Sequence, residues 1–204
     1  IRRFFLALLL FWPLAAVAEE ADLFPQGRLW RIEGPGLAPS YLFGTMHVSD
    51  PEILRLPPAV KRAFTESGTF VLEVKLDETA YQAIIAAALL PAGPRLKDLL
   101  PPAAYEKLDA ALRERGLSAA LMDRIQPWVV ATILAFDAAE MQRQREGKKA
   151  LDEMLQNLAL ASGKEVAALE SVEEQLSLFT GMPLDQQVEM LEMSLDSPEL
   201  LVER

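Results

Sequence analysis

Residues 40–47 read Ser-Tyr-Leu-Phe-Gly-Thr-Met-His, a pattern typical of a short apolar strand that stops at a glycine. The stretch places His47, the single histidine of the chain, just beyond the end of that strand. Gly44 suits a sharp exit from a strand, because glycine can adopt backbone angles closed to other residues. An imidazole at a strand end can bind a metal or transfer a proton, but it can equally cap a loop or pack beneath one.

The flanking segments predict how this strand is built into a fold. Residues 28–33 alternate polar and apolar side chains, and the Gly- and Pro-rich residues 34–39 predict a turn, so that the two strands form a hairpin. Pro57-Pro58 predicts the start of a helix. Residues 69–74, Thr-Phe-Val-Leu-Glu-Val, form a near-continuous apolar run typical of a strand that is covered on both faces. Strand, helix and strand at this spacing predict a βαβ unit.

The middle of the chain, from Asp77 to Ser162, is predicted to be mostly helical. Capping residues and prolines mark the starts of helices, and glycines mark their ends. The pattern predicts helices over residues 77–90, 101–115, 127–144 and 150–161, a strand over 164–170, a capping box at Ser171 and Glu174, and a last helix from Pro183. The sequence therefore predicts an α/β fold with a central mixed, largely parallel sheet, βαβ units and a helical middle region.

The first 18 residues have the composition of a secretory signal peptide. Two arginines follow Ile1, an apolar run extends from Phe4 to Trp12, and the segment ends in Ala16-Val17-Ala18. The apolar run is shorter than the roughly 20 residues that span a bilayer. We expect cleavage after Ala18, export to the periplasm and one domain over residues 19–204; the alternative is an N-terminal membrane anchor.

Composition excludes several classes of protein. The formal net charge of −10 is unsuited to non-specific binding of nucleic acid, whose phosphates require a basic surface. The absence of cysteine excludes disulfides, thiolate metal sites and cysteine nucleophiles. Hydrophobic residues make up 51% of the chain, which rules out a disordered protein. We therefore expect a folded protein that does not bind nucleic acid and that meets a membrane only through its N-terminal segment.

Three polar side chains are predicted to lie at strand ends. His47 follows one strand, Glu73 lies near the end of a second, and Glu170 ends a third. In open α/β sheets ligands bind at the carboxyl ends of the strands, so these side chains converge if the strands are parallel neighbours. Two simpler interpretations remain open. Glu170 can act only on the N-terminus of the following helix, and Glu73 can form an ion pair with one of the nearby cations Arg28, Arg31 and Lys75.

One imidazole and two carboxylates are ligand types that favour a divalent ion such as Mn, Fe, Co or Zn. A hydrolytic metal site usually has three protein ligands and an open position for water, and these residues just supply three. His47, Glu73 and Glu170 are therefore candidate ligands, although a second histidine would be more usual at such a site and the chain has none. The acidic pairs Asp152-Glu153 and Glu173-Glu174 are interpreted as solvated faces of helices.

Several segments resemble the TraB/GumN family: Leu29–Ile32, Ser40–His47, Leu56–Val60 and Val71–Val74 in the first half, and Gly163-Lys164, Leu169-Glu170 and Glu174-Gln175 later. That family is similar to the Tiki proteases and, more distantly, to the erythromycin-esterase and ChaN-like folds. The resemblance implies an α/β core with a helical region and a metal-dependent, peptidase-like hydrolase. Gly44 and His47 match the Gly-x-x-His motif of the family, and Glu73 matches its glutamate. Together with the placement at strand ends, the resemblance implies that His47 and Glu73 are metal ligands and that Glu73 and Glu170 are catalytic carboxylates.

The family pattern includes a second Gly-x-x-His motif, which this sequence lacks. Because that motif is absent and the chain begins with isoleucine instead of methionine, we expect a fragment that lacks the C-terminal part of the domain. For the hydrolase we expect a peptide or another small substrate. Two other functions remain open: a non-catalytic periplasmic protein that binds peptide, metal or haem, and an envelope scaffold whose helical region binds a partner.

Overall fold

The computed structural model describes residues 28–196, which form two small sheets and a set of helices. Strands β1 (Leu29–Ile32) and β2 (Ser40–Phe43) pair antiparallel, with Leu29 opposite Phe43. The turn between them is closed by the Leu37 amide, which donates to the Gly34 carbonyl at 3.1 Å. The hairpin predicted from the alternating pattern is confirmed.

The second sheet is a parallel pair. Strand β3 (Thr69–Val74) lies beside β4 (Glu165–Glu170), with Thr69 opposite Glu165 and Val74 opposite Glu170. Parallel neighbours require a crossover, and the helical middle of the chain provides it. The α/β class with a helical middle is therefore confirmed. The described strands differ from the predicted β2–helix–β3 unit, because β3 bonds to β4 and β2 bonds only to β1.

Strand β3 is covered on one face, not on both. Leu72 and Val74 are buried, whereas Val71 between them is 47% exposed. Side chains alternate between the two faces of a strand, so Glu73 lies with Val71 on the exposed face. The apolar run that predicted a doubly covered strand was therefore misleading within the described residues, and Glu73 does not need a partner to offset burial.

The helices begin and end close to their sequence signals. They are α1 (Pro58–Glu66), α2 (Glu78–Ala88), α3 (Leu96–Leu99), α4 (Pro102–Glu114), α5 (Ala119–Met122), α6 (Pro127–Leu134), α7 (Ala138–Arg145), α8 (Leu151–Ala161), α9 (Val172–Thr180) and α10 (Leu184–Asp196). The Asp77 side chain caps α2 by accepting from the Ala80 amide at 3.0 Å. The capping box of Ser171 and Glu174 is confirmed, with both of its hydrogen bonds present at the start of α9.

The single helix predicted over residues 127–144 was wrong. The helix breaks after Leu134, and α7 begins anew where the Asp137 side chain accepts from the Glu140 amide at 2.6 Å. An aspartate followed three residues later by a glutamate is itself a helix-start pattern, so the sequence did contain the signal. Helix α7 carries Glu140 to the loop that follows β2, where its carboxylate contacts Ser49.

Two apolar clusters hold these elements together. The larger one lies among α4, α6 and α10 and contains the fully buried Leu108, Leu112 and Leu191. The smaller one joins α1 and α8 to the strands through Leu56, Val60, Leu151 and Leu155, with aromatic side chains of both sheets packed against it. This second cluster fixes the hairpin against the start of α8. It therefore sets the geometry around His47.

The predicted signal peptide and its cleavage after Ala18 concern residues that lie outside the described range. Between Arg28 and Asp196, none of the helices combines the length and the apolar composition that a bilayer crossing requires.

Candidate functional site

The chain leaves β2 through a short loop that carries His47. The Gly44 amide donates to the Arg28 carbonyl at 2.8 Å and so closes the hairpin. Gly44 does not adopt a positive φ, and a Cβ placed on it would lie 3.6 Å from the Arg28 Cβ, an ordinary van der Waals contact. The expectation that Gly44 uses backbone angles closed to other residues is therefore wrong, since this exit from the strand needs no left-handed residue.

His47 is hydrogen-bonded to a carboxylate that lies far away in the sequence. Its Nδ1 makes a short hydrogen bond to Oδ2 of Asp152, the second residue of α8. The histidine side chain is 67% exposed, whereas the Asp152 side chain is only 15% exposed. Nδ1 is thus directed at a largely buried acceptor, and the opposite ring nitrogen, Nε2, is left for an external group.

The surroundings of His47 favour its protonated form. The hydrogen bond that His47 donates to Asp152 raises the pKa of His47, and partial burial opposes this. The charges of Asp152 and Glu73 raise the pKa further, so that it lies above its ordinary value. The other carboxylate oxygen of Asp152, Oδ1, is buried and has no hydrogen-bond partner among residues 28–196. The pair therefore offers a basic ring nitrogen and an unused buried acceptor side by side.

A buried carboxylate holds the loop that presents His47. Glu140 is 2% exposed, and both of its carboxylate oxygens accept from the Ser49 amide at 3.0 Å. The Ser49 hydroxyl donates to the same group at 2.8 Å, and the Arg143 guanidinium donates at 2.7 Å. Burial raises the pKa of Glu140, but the hydrogen bonds from Ser49 and Arg143 outweigh burial, so the pKa lies below its ordinary value.

A backbone hydrogen bond connects the same loop to α8. The Leu151 amide, at the start of that helix, donates to the Val48 carbonyl at 3.1 Å. The first amides of a helix have no partner within the helix, so the loop carbonyl satisfies one of them. Val48 follows His47 and Leu151 precedes Asp152, so this one bond places the two side chains within reach of each other.

Glu73 and Glu170 lie on opposite faces of the parallel pair. Glu170 is opposite Val74, and residues opposite each other share a face, so Glu73 is one position out of step with it. Both side chains are exposed. The charge of Glu73 acts on His47, whereas Glu170 is not among the charges that shift the pKa of that imidazole. Of the cations considered as partners of Glu73, Arg31 instead pairs with Glu33 at 2.9 Å.

The sequence interpretation missed Asp152. It was assigned with Glu153 to a solvated helix face, which was wrong, because Asp152 contacts His47 and Glu153 pairs with Lys149 at 2.5 Å in a largely buried position. The partnership joins residues 105 positions apart, so no local pattern reveals it. One local signal was available: Asp152 directly follows the buried Leu151 at the start of α8, where neighbouring side chains can contact the loop packed against the helix. Glu173 and Glu174, by contrast, are exposed as expected.

Hydrolytic metal centres in proteins usually have three protein ligands. Over residues 28–196, no group of three or more His, Asp or Glu side chains is arranged to hold a metal ion. His47 and Asp152 supply two adjacent donors, and the unpartnered Oδ1 of Asp152 is a third acceptor from the same pair. The described residues therefore do not by themselves fit a complete metal centre.

Comparison with known proteins shows the family of the chain. The sequence pattern of the TraB/PrgY/gumN family matches residues 28–203. The chain belongs to the TraB/PrgY/gumN family. The resemblance found in the strand and loop segments is therefore confirmed, and it extends over the whole of the described structure. No solved structure matches the chain.

Named relatives of this TraB/PrgY/gumN chain are metalloproteases. The chain is 31% identical over 193 residues to metalloprotease TIKI1 of Danio rerio, a match that covers 82% of the chain and 38% of the relative. It is 30% identical to metalloprotease TIKI2 of Danio rerio, over 85% of the chain and 38% of that protein. The metalloprotease TIKI homolog of Nematostella vectensis is 26% identical, with coverage of 85% and 42%. The chain thus spans about two fifths of the length of these relatives.

Proposed function

We propose that this chain is an exported, periplasmic hydrolase of the metalloprotease type that acts on a peptide or another small substrate, with His47 at its reaction centre. The observation that carries the proposal is the pairing of His47 with the largely buried Asp152. The names of the TIKI relatives support peptide hydrolysis as the reaction class. Export is supported by the composition of residues 1–18.

The pair gives the imidazole a defined role. A carboxylate that accepts from Nδ1–H fixes the tautomer and orientation of a histidine and makes its Nε2 more basic. Nε2 of His47 then accepts a proton from water or binds a metal ion, and its exposure makes it accessible to either. Asp152 positions the ring in both cases, and Glu140 and Ser49 hold the loop beneath it.

The relatives named as metalloproteases support a dependence on a divalent metal, and Mn, Co, Fe and Zn suit the nitrogen and oxygen donors of this site. Such an ion activates a water molecule when it is bound. His47 and Glu73 are the ligands that we assign to it, with Glu73 also able to act as a base. Glu170 was expected to converge on the same site, but it lies on the other face of the parallel pair from Glu73 and has no role in this proposal. The remaining ligands come from outside residues 28–196, because the described side chains do not complete a set.

The test measures metal content and peptide hydrolysis separately. Wild type, His47→Ala, Asp152→Asn and Glu73→Gln are loaded with Zn²⁺, Mn²⁺ or Co²⁺, dialysed and analysed by mass spectrometry for bound metal, and their hydrolysis of a quenched fluorescent peptide library is followed. Asp185→Asn is the matched control, since Asp185 is also the second residue of a helix but is exposed. We expect His47→Ala to lose metal and turnover and the control to keep both. Equal metal content in wild type and His47→Ala would remove His47 from the metal site.

One alternative is a non-catalytic protein that binds a peptide, a metal or haem through the exposed imidazole of His47. This alternative predicts that wild type binds its ligand but turns over no peptide of the library with any of the three metals. Turnover that is lost in His47→Ala excludes it.

A further inference from the structure

A cavity of about 470 Å³ opens beside the His47 loop. Its walls are mainly apolar and come from the hairpin, the loop after β2 and the starts of α1 and α8; they include Leu29, Phe43, Met46, Ile53, Val60 and Leu151. This volume lies within the range of about 300–1,000 Å³ that is typical of sites for small ligands. An apolar cavity of this size favours a bulky apolar group that displaces water from it.

The cavity is adjacent to the His47–Asp152 pair without containing it. Met46 and Leu151 line the cavity, and these residues directly precede His47 and Asp152. Consecutive Cα atoms lie about 3.8 Å apart, so the backbone segments that line this side of the cavity also carry the pair. A chain whose side chain fills the cavity therefore has its backbone close to the imidazole.

The rim of the cavity has an excess of positive charge. Arg28 and Arg55 lie there with Glu52, and all three are exposed. Within the described residues, neither arginine side chain forms an ion pair or a hydrogen bond, although the chain as a whole is acidic. Guanidinium groups bind carboxylates with directed pairs of hydrogen bonds. Two arginines that have no partner among residues 28–196 therefore complement a ligand that carries a carboxylate near its apolar group.

We propose that this cavity is the specificity pocket of the enzyme, and that it binds a peptide by a large apolar side chain next to an acidic residue. The apolar side chain enters the cavity, Arg28 and Arg55 bind the carboxylate, and the adjoining backbone lies against His47. The inference rests on the proposed peptide hydrolysis and adds to it the class of peptide that is recognised. Ala59, which lines the cavity from the exposed side of α1, is the position from which the pocket can be filled without disturbing the core.

The experiment measures binding, independently of turnover. The probes are the blocked peptides acetyl-Ala-Ala-Phe-Asp-amide, its Phe→Ala analogue and its Asp→Asn analogue, titrated into methyl-labelled protein. We expect the Phe-Asp peptide to shift the methyl signals of Met46, Ile53 and Leu151, and the Ala analogue to bind at least tenfold more weakly. Ala59→Trp is expected to weaken the Phe-Asp peptide at least tenfold by filling the cavity.

The charge at the rim is tested with a matched pair of variants. Arg55→Glu is expected to weaken the Phe-Asp peptide about three- to tenfold while leaving the Phe-Asn analogue nearly unchanged, because only the first carries the carboxylate. The control Arg124→Glu makes the same change of charge at an exposed arginine that does not line the cavity, and it should change neither affinity. Equal effects of Arg55→Glu and Arg124→Glu would overturn the role of the rim.

The outcomes separate the pocket from the proposed function. Equal binding of the Phe and Ala peptides, or unchanged binding in Ala59→Trp, overturns the pocket even if His47-dependent hydrolysis of other peptides is found. Binding that follows the expected order in a protein that hydrolyses no peptide supports the pocket and overturns the hydrolase proposal.

Discussion

Replacement of Glu140 by glutamine tests whether a buried carboxylate holds the reactive loop in place. Glu140 is 2% exposed and accepts hydrogen bonds from the Ser49 amide, the Ser49 hydroxyl and the Arg143 guanidinium. Glutamine keeps the shape of the side chain but has one acceptor oxygen and one NH₂ group. The Ser49 amide donates to both carboxylate oxygens in wild type, so in the variant it faces the NH₂ group, which is itself a donor. Arg143 loses its charged partner.

The magnitude follows from the groups left unsatisfied. Breaking a buried charged pair by removing one partner costs about 3–5 kcal/mol, and an unsatisfied buried donor costs about 1–3 kcal/mol. Glutamine keeps part of the hydrogen bonding, so we expect Glu140→Gln to lower the free energy of unfolding by about 2–4 kcal/mol at pH 7. The measurement is urea unfolding followed by circular dichroism.

The loss of stability in Glu140→Gln should also depend on pH. The pKa of Glu140 is below its ordinary value of 4.5 in the folded protein. Its contribution to stability is therefore present above the unfolded pKa and is lost as the pH falls through the folded pKa. The difference in stability between wild type and Glu140→Gln should therefore be largest near neutrality and shrink in acid.

The control for this test is the exposed Glu106. Glu106→Gln makes the same chemical change at an exposed position of α4 and should alter stability by less than about 0.5 kcal/mol. A loss below about 1 kcal/mol in Glu140→Gln, or a difference from wild type that grows toward low pH, would contradict the role of Glu140 in holding the loop.

Three further substitutions test the fold by urea unfolding. Ser171→Ala removes the cap of α9 and should cost about 1 kcal/mol; no measurable change would mean that the capping box contributes nothing in solution. Leu108→Ala opens a space in the larger core cluster and should cost about 2–5 kcal/mol, whereas a cost near zero would show that the site is not enclosed. Gly116→Ala should destabilise by more than about 1 kcal/mol, because Gly116 has a φ of 71° and a Cβ would lie 3.0 Å from the Arg145 Nη1; an unchanged midpoint contradicts this.

Local signals account for the features that the sequence predicted well. Prolines at the starts of α1, α4 and α6 and the caps of α2 and α9 act within one helical turn, so these helices could be placed from neighbouring residues alone. The family segments around β2 and β3 identified His47 and Glu73 as candidates. A local signal of the same kind marks the start of α7, where Asp137 is the N-cap. It was overlooked because the surrounding sequence is typical of one continuous helix.

The strand pairing and the side-chain partners could not be predicted from the sequence, because they depend on contacts between distant segments. The pairing of β3 with β4 rather than with β2, and the contacts of Asp152 with His47 and of Glu140 with Ser49, join residues far apart in the chain. A side chain on the first turn of a helix looks solvated unless the loop packed against it is known. The buried carboxylates therefore became visible only when the loop after β2 was placed.

The most direct test of the account is the titration of His47 itself. The chain contains one histidine, so its imidazole proton signals can be followed by NMR without ambiguity. Because the hydrogen bond to Asp152 raises the pKa of His47, the stabilisation from this pair is present at low pH and is lost as the pH rises through the folded pKa. We expect the wild-type pKa to lie above 6.5, to fall in Asp152→Asn and to stay unchanged in Asp185→Asn. A pKa of His47 that is the same in wild type and Asp152→Asn would contradict the claim that the two residues act as one unit.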